Sequence, residues 1–190
     1  YHDGTEVLHK ISFETKPGEV TALVGPSGGG KTTLVNLLAR FWDVDGGTVM
    51  LGGRNVKNYD MDSLMANFSF VFQSVYLFHD TIAGNIRFGQ PGAPMEDVIA
   101  AAKKACCHDF ISSLPHGYDT VVGEGGASLS GGEKQRISIA RAILKDAPIV
   151  ILDEATAQAD AHSELEIQRA ISGLAEGRTV VMIAHRLSTI

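Results

Sequence analysis

The sequence predicts an α/β fold in which a mostly parallel β-sheet is flanked by helices, with a helical subdomain beside the sheet at about residues 80–128. Compact apolar runs that suit buried strands lie at 20–24, 149–152 and 179–183. Segments with helical spacing of apolar residues lie at 32–41, 130–145 and 162–175. Because strands and helices alternate, a parallel sheet covered on both faces is favoured.

Shorter patterns predict the remaining elements. One further strand is expected near the start of the chain, formed by Val7, Leu8, Ile11 and Phe13, with a turn at 16–19. Two more strands are expected at 48–51, before a Gly52-Gly53 turn, and at 68–72. In the helical region, one helix is expected to open at Pro94 and a shorter one to span 108–114.

Composition excludes several classes of protein. A length of 190 residues suits one domain, and the net charge of −6 argues against a nucleic-acid-binding surface. No apolar run approaches the roughly 20 residues that a membrane-spanning helix needs, so a soluble polypeptide is expected, associated with a membrane only through a partner domain. The adjacent Cys106 and Cys107 do not suggest a disulfide or metal framework, and we expect them on a helix in a reducing compartment.

A glycine-rich loop between the first buried strand and its helix predicts a phosphate-binding site. It reads GPSGGGKTT and comprises Gly25, Pro26, Ser27, Gly28, Gly29, Gly30, Lys31, Thr32 and Thr33. The glycines allow backbone N–H groups to surround phosphate oxygens, and the helix N-terminus adds partial positive charge. Lys31 is expected to reach the outer phosphates, and the Thr32 hydroxyl is suited to hold Mg²⁺.

A second motif, the acidic stretch IVILDE at 149–154, is expected to lie next to this loop. The carboxyl ends of parallel strands lie at one edge of the sheet, so Asp153 should reach the same crevice. Asp153 suits Mg²⁺ coordination through water. Glu154 suits polarising the water that attacks a γ-phosphate.

The stretch LSGGEKQR at 129–136 allows two interpretations. Ser130 and Glu133 form an S-x-x-E capping box, so the stretch can simply be the start of a capped helix. Gly131 and Gly132 are poor helix formers, however, and their bare N–H groups at a positive helix end suit a docked anion.

LSGG, placed between the glycine loop and IVILDE, resembles the signature of ABC ATPases, and the resemblance covers essentially the whole chain. Gln73 matches the family's Q-loop, 157–160 its D-loop and His185 its switch histidine. Tyr1 lies where the family places the aromatic residue that stacks on adenine. The resemblance implies a P-loop NTPase core and an ATP-binding, ATP-hydrolysing domain of an ABC transporter, with ATP and Mg²⁺ as ligands.

The resemblance also implies a mechanism in which two such domains pair head to tail. One copy would bind ATP through Gly28, Gly30, Lys31, Thr32 and Thr33, and the facing copy through Ser130, Gly131 and Gly132. Mg²⁺ would be held by Thr32, Gln73 and, through water, Asp153. Glu154 would act as general base, His185 would hydrogen-bond the γ-phosphate, and Asp160 would couple the two sites.

Several stretches resemble the exporter-type branch of the family. These are DTVVGEGGASLS at 119–130, QSVYLFHDTIAGNI at 73–86 and the Arg-Leu-Ser that follows His185. Three more, at 40–43, 107–111 and 153–157, resemble siderophore-linked half-transporters. The implied partners are a transmembrane domain, which would select the substrate, and a second nucleotide-binding domain. The implied location is the cytoplasmic face of the cell membrane.

The sequence departs from the family pattern at three places. The signature continues with Glu133 where the family usually has Gln, the D-loop reads AQAD, and Gly125 stands where arginine is common. Family domains carry further strands before Tyr1 and after His185, so we expect the sequence to be part of a domain. Two alternatives remain: a soluble ABC ATPase of translation or DNA repair, and a regulator that binds nucleotide without turnover.

Overall fold

A computed structural model describes residues 7–123, 129–153 and 161–184, with side chains described from 163 onward in the last range. The strands are β1 Val20–Val24, β2 Met50–Leu51, β3 Arg54–Asn55, β4 Phe68–Val71, β5 Asp80–Thr81, β6 Val121–Val122, β7 Ile149–Asp153 and β8 Thr179–Ala184. The helices are α1 Lys31–Leu38, α2 Met61–Met65, α3 Ile82–Arg87, α4 Met95–Lys104, α5 His108–Ser113, α6 Gly131–Lys145 and α7 Ala161–Ala175. No helix in the described ranges is both long and apolar enough to cross a membrane.

Within the residues that the structure describes, the central sheet has four strands in the order β1-β8-β7-β4, and every neighbouring pair is parallel. Its register pairs Val24 with Ala184, Asp153 with Ile183, and Val71 with Leu152. The carboxyl ends of all four strands therefore lie at the same edge. This confirms the predicted α/β class with a parallel sheet.

Alternating side chains of the sheet enter two separate hydrophobic cores. Phe68, Ile151 and Ile183 pack on one face with Val35 of α1 and with Ala39, the residue after that helix. Residues of the opposite parity, among them Val71, Val150, Leu152 and Val180, pack on the other face with α6 and α7. The period of two in a strand explains this division, and the sheet is covered on both faces as predicted.

The helices between β4 and α6 share the second core. Residues of α3, α4 and α5 pack there with α6, including Ile86, Val98 and Ile111. The antiparallel pair β5–β6 brings the two ends of this segment together. At its closest point, Gly89 lies so near α6 that an added Cβ would overlap the carbonyl oxygen of Arg141 and lie 3.1 Å from its carbonyl carbon.

The prediction of a strand formed by Val7, Leu8, Ile11 and Phe13 is wrong. No residue of this stretch is assigned to a strand, and Lys10 adopts a positive φ of 49°, which interrupts an extended conformation. Ile11 and Phe13 are exposed. The apolar pattern was present in the sequence, but none of the described strands pairs with this stretch.

The expectation that β1 is a buried strand is also wrong. In the described sheet β1 is an edge strand paired only with β8, and Val20 and Val24 at its ends are exposed. An apolar run does not distinguish an edge position from a central one, because strand order depends on the other strands.

The end of the first helix and the position of the two cysteines also differ from the sequence prediction. The first helix ends at Leu38 rather than Phe41, because Arg40 has a φ of 57° and its guanidinium donates to the carbonyls of Val56 and Tyr59. The cysteines do not lie within a helix. Cys106 has a φ of 53° in the turn after α4, and Cys107 is the residue preceding α5.

We expect Gly89→Ala to lower the free energy of unfolding by about 1–3 kcal/mol, because the added methyl group meets backbone that cannot rotate away. Gly46→Ala is the matched control, since a Cβ at Gly46 has no atom within 4 Å. Its effect should stay below about 1 kcal/mol. Urea unfolding monitored by circular dichroism measures both, and equal midpoints would contradict the close helix packing.

We expect one thiol, that of Cys106, to react with Ellman's reagent in the native protein at pH 8. Cys107 is fully buried, and burial raises its pKa to about 12, so its thiol stays protonated and shielded. Because only Cys106 is accessible, Cys106→Ser should abolish native labelling. Labelling of both thiols before unfolding would contradict the burial of Cys107.

The same burial makes the stability of the fold depend on pH. Because the folded-state pKa of Cys107 is raised, the contribution of its neutral thiol to stability is complete below about pH 9 and declines as the pH rises toward 12.

Candidate nucleotide-binding site

The glycine-rich loop connects the end of β1 to the start of α1. Gly30 is the residue before the helix and has a φ of 80°, a conformation that favours glycine. A Cβ there would lie 2.8 Å from Leu8 Cδ2 and 2.9 Å from Val7 Cγ1, so the position is sterically closed as well. No described side chain caps α1, and the first N–H groups of the helix are directed toward the loop.

Lys31 crosses this loop. Its ammonium group donates hydrogen bonds to the carbonyl oxygens of Gly25 and Pro26, both at 2.8 Å. The lysine therefore holds its charge at the concave side of the loop. A phosphate in the pocket can replace these neutral carbonyl acceptors with charged oxygens, which form stronger bonds to an ammonium.

The structure brings half of the predicted site residues together in one pocket of about 520 Å³. The pocket is lined by Val7, Ser27, Gly28, Gly29, Gly30, Lys31, Thr32, Thr33, Gln73 and Asp153. Gln73 follows β4 and Asp153 ends β7, and these strands are neighbours, so their side chains reach the same edge of the sheet. Gly25 and Pro26 take part through the carbonyls that bind Lys31.

The oxygen donors of this pocket fit Mg²⁺. Thr32 supplies a hydroxyl, Gln73 an amide carbonyl and Asp153 a carboxylate. Within the described ranges there is no cluster of three or more His, Cys, Asp or Glu side chains that could hold a metal ion by itself. Mg²⁺ requires only one or two protein carboxylates when phosphate oxygens and water complete its octahedron, so this sparse set is suitable.

The LSGG stretch forms the start of α6 and is capped as predicted. The Ser130 N–H donates to Glu133 Oε2 at 2.8 Å, and the Glu133 N–H donates to Ser130 Oγ at 3.3 Å. Glu133 therefore completes the capping box where the family usually has Gln. Ser130 and Gly131 are exposed, but neither they nor Gly132 line the pocket.

Gly132 has a packing role that the sequence did not reveal. It is buried, and an added Cβ would lie 2.7 Å from the Cβ of Ser163 on α7. The absence of a side chain therefore lets α6 and α7 approach closely. The expectation that both glycines serve as bare anion-binding groups is incomplete, because close packing alone requires glycine at this position.

Two further residues near the site were missed by the sequence analysis. Val7 lines the pocket, although its apolar pattern predicted only a strand. Gln135 is buried and donates from Nε2 to the Phe72 carbonyl at 3.4 Å, next to Gln73. Gln135 lies on a capped helix in the sequence, and no local pattern assigns it a partner more than sixty residues away.

Four predicted site residues lie outside the described residues: Tyr1, Glu154, Asp160 and His185. The rest of the D-loop stretch at 157–159 and Gly125 also lie outside them. In the sequence, Glu154 directly follows Asp153 of the pocket, and His185 directly follows Ala184, the last residue of β8. Their roles remain predictions.

Comparison with known proteins identifies the family. The ABC transporter family profile matches residues 8–157. The ATP-dependent lipid A-core flippase of Syntrophus aciditrophicus is 52% identical over 189 residues, which is 100% of this chain and 31% of the flippase. The mycobactin import ATP-binding/permease protein IrtA of Mycolicibacterium smegmatis is 53% identical over 190 residues, 100% of this chain and 22% of that protein. The chain thus spans about a third or less of these relatives.

A solved structure agrees with the sequence comparison. A bacterial Atm1-family ABC exporter with ATP bound has a TM-score of 0.91 and 48% identity, covering 98% of this chain and 32% of that chain. These matches favour a transporter domain over the soluble ABC ATPase of translation or DNA repair. The chain belongs to the ABC transporter family, as a nucleotide-binding domain of the exporter type.

Proposed function

We propose that the chain binds Mg²⁺-ATP in the pocket between the glycine loop and the end of β7, and hydrolyses it to drive transport. The convergence of Lys31, Thr32, Gln73 and Asp153 on one pocket is the observation that carries this proposal. A lysine, a hydroxyl, an amide and a carboxylate around a backbone cradle suit a triphosphate and its metal ion.

The protein's contribution to hydrolysis would be positioning and charge stabilisation. The loop N–H groups and the N-terminus of α1 would orient the phosphates, and Lys31 would balance charge that develops on the β- and γ-phosphate oxygens. Thr32, Gln73 and, through water, Asp153 would hold Mg²⁺, which neutralises phosphate charge when bound. Glu154 would accept a proton from the attacking water, while His185 would hydrogen-bond the γ-phosphate.

A second copy of the domain would complete the site. Ser130 and Gly131 are exposed at the N-terminus of a 15-residue helix, yet they do not line their own chain's pocket. A head-to-tail pair would place this helix end against the partner's ATP, where its partial positive charge favours phosphate. Asp160 would couple the two sites across that interface. Tyr1 would stack on adenine.

The coupling to transport would run through a transmembrane domain. The relatives named above are about three to four and a half times as long as this chain, since it covers 22–32% of them. We place the chain at the cytoplasmic face of the membrane, attached only through that partner domain, which would choose the cargo. Nucleic acid has no part in this function.

Lys31→Met should weaken Mg²⁺-ATP binding by roughly tenfold or more, because it removes the positive charge inside the pocket. Lys57→Met is the matched control, since the Lys57 ammonium also donates to a backbone carbonyl, that of Val44, but outside the pocket. Titration of a fluorescent ATP analogue measures both dissociation constants. The proposal fails if Lys31→Met binds as tightly as Lys57→Met.

Glu154→Gln should slow ATP hydrolysis by about 100-fold or more, since an amide cannot accept the proton of the attacking water. Mg²⁺-ATP binding should persist, because the change leaves the pocket residues in place. Phosphate release and nucleotide titration are measured on the same preparations. Equal hydrolysis rates in the two proteins would favour the nucleotide-binding regulator without turnover.

A further inference from the structure

The loop that carries Gln73 is held by α6 on both sides of that residue. Gln135 of α6 contacts Phe72, immediately before Gln73, and Arg141 of α6 contacts Tyr76, three residues after it. We infer that Gln135 and Arg141 are positioning residues that set where Gln73 presents its side chain to the Mg²⁺-nucleotide. This inference rests on the proposed function, because Gln73 has this role only if the pocket binds that ligand.

The contact before Gln73 is a part-buried hydrogen bond between two layers of the fold. Gln135 is 5% exposed, and its Nε2 donates to the carbonyl oxygen of Phe72 at 3.4 Å. Phe72 follows the last residue of β4, where the sheet ladder ends. The Gln135 side chain therefore gives this carbonyl a partner at the point where Gln73 leaves the strand, and it fixes the direction of the chain there.

The contact after Gln73 is a network centred on Arg141 and Asn85. Arg141 donates from Nη1 to the Tyr76 carbonyl at 3.4 Å, from Nε to the Asn85 carbonyl at 2.9 Å, and from Nη2 to Asn85 Oδ1 at 3.2 Å. Asn85 is 1% exposed and bonds both the N–H and the carbonyl of Phe78. The segment 76–78 is thus bound through its backbone.

The aromatic side chains around Arg141 stabilise the same network. Its guanidinium carbon lies 5.6 Å from the ring centre of Phe78 and 5.5 Å from that of Phe88. Burial lowers the pKa of Arg141, which reflects the partial removal of its charge from water. Hydrogen bonds and ring contacts to a desolvated cation are stronger than on an open surface, so this anchor is firm.

The bonds of Gln135 and Arg141 connect Gln73, in the chain's own pocket, to the helix whose N-terminus would contact a partner's ATP. The same helix that clasps the loop around Gln73 begins at Ser130, which would contact the ATP of a partner copy. A shift of α6 therefore moves the backbone on both sides of Gln73. Through Gln135 and Arg141, docking of the partner's nucleotide on one end of the helix would adjust a Mg²⁺ ligand in the chain's own pocket.

If Gln135 only stabilised the fold, its loss would have a different effect from the one proposed, and a matched variant at Ser69 distinguishes the two cases. Ser69 also forms a buried hydrogen bond between β4 and α6, donating to the Ala142 carbonyl at 3.3 Å, but four residues before Gln73. Ser69→Ala and Gln135→Met each remove one donor across this interface. If these bonds only stabilise the fold, both variants should change nucleotide binding alike.

The experiment uses the full-length protein and measures the dissociation constant of a fluorescent ATP analogue in excess Mg²⁺ and in excess EDTA. The ratio of the two constants reports how much Mg²⁺ strengthens binding. We expect Gln135→Met to lower this ratio by about threefold or more, and Arg141→Lys, which keeps the charge but loses the planar fork, to lower it as well. Ser69→Ala should keep the wild-type ratio, and Gln135→Met should cause no further loss in a Gln73→Ala background.

Thermal unfolding of each variant shows which ones are folded. If Gln135→Met does not fold, Arg141→Lys tests the inference in its place. The inference is overturned if both variants keep the wild-type ratio, if Ser69→Ala lowers it equally, or if Gln135→Met still lowers it without Gln73. A Gln73→Ala variant that keeps the wild-type ratio would also overturn the inference. Nucleotide binding itself would persist in that case, so the proposed function would stand. Failure of the proposed function is a separate result, because the wild-type protein would then bind no nucleotide.

Discussion

The parallel pairing of β4, β7, β8 and β1 is the constraint on which the pocket depends. Hydrogen bonds between parallel strands align all four carboxyl ends, so the residues that follow them meet at one edge. The loop after Val24, Gln73 after β4 and Asp153 at the end of β7 are forty or more residues apart in the chain, yet they line one pocket. A single shift in register would reverse the face of every side chain in a strand, so the two hydrophobic cores maintain this alignment.

The burial of α6 connects this edge to the helical segment. Most of its residues from Gln135 to Leu144 are buried, because the helix packs against the sheet on one side and against α3, α4 and α7 on others. One polar residue on it, Arg136, forms an ion pair with Glu166 of α7 and lies over the ring of Phe110. A helix held on so many sides moves as a unit or not at all, since close-packed interiors transmit displacement.

The sequence was most informative where backbone chemistry requires particular residues. The glycine loop, the IVILD strand and the S-x-x-E cap each carry a local physical requirement, and each was predicted with correct elements around it. Properties that depend on distant parts of the chain were not predictable. The stretch at 7–13 has the pattern of a strand but pairs with none of the strands that the structure describes, and Gly132 is needed because Ser163 lies against it. Gln135 belongs to this second class, because its partner Phe72 is known only from the packing of α6 on β4.

The separation of the pocket from Ser130 has an energetic consequence for the family's mechanism. A lone chain offers a phosphate the glycine loop and Lys31, but Lys31 must first give up its two bonds to the Gly25 and Pro26 carbonyls. Part of the gain from the charged phosphate would be offset by this exchange, so we expect the net affinity of one chain to be modest. In the proposed pair, the N-terminus of a partner's α6 would add its dipole to the affinity, and its Ser130 and Glu133 N–H groups would keep their bonds within the capping box. Nucleotide and partner should therefore bind with positive linkage, each increasing the affinity of the chain for the other.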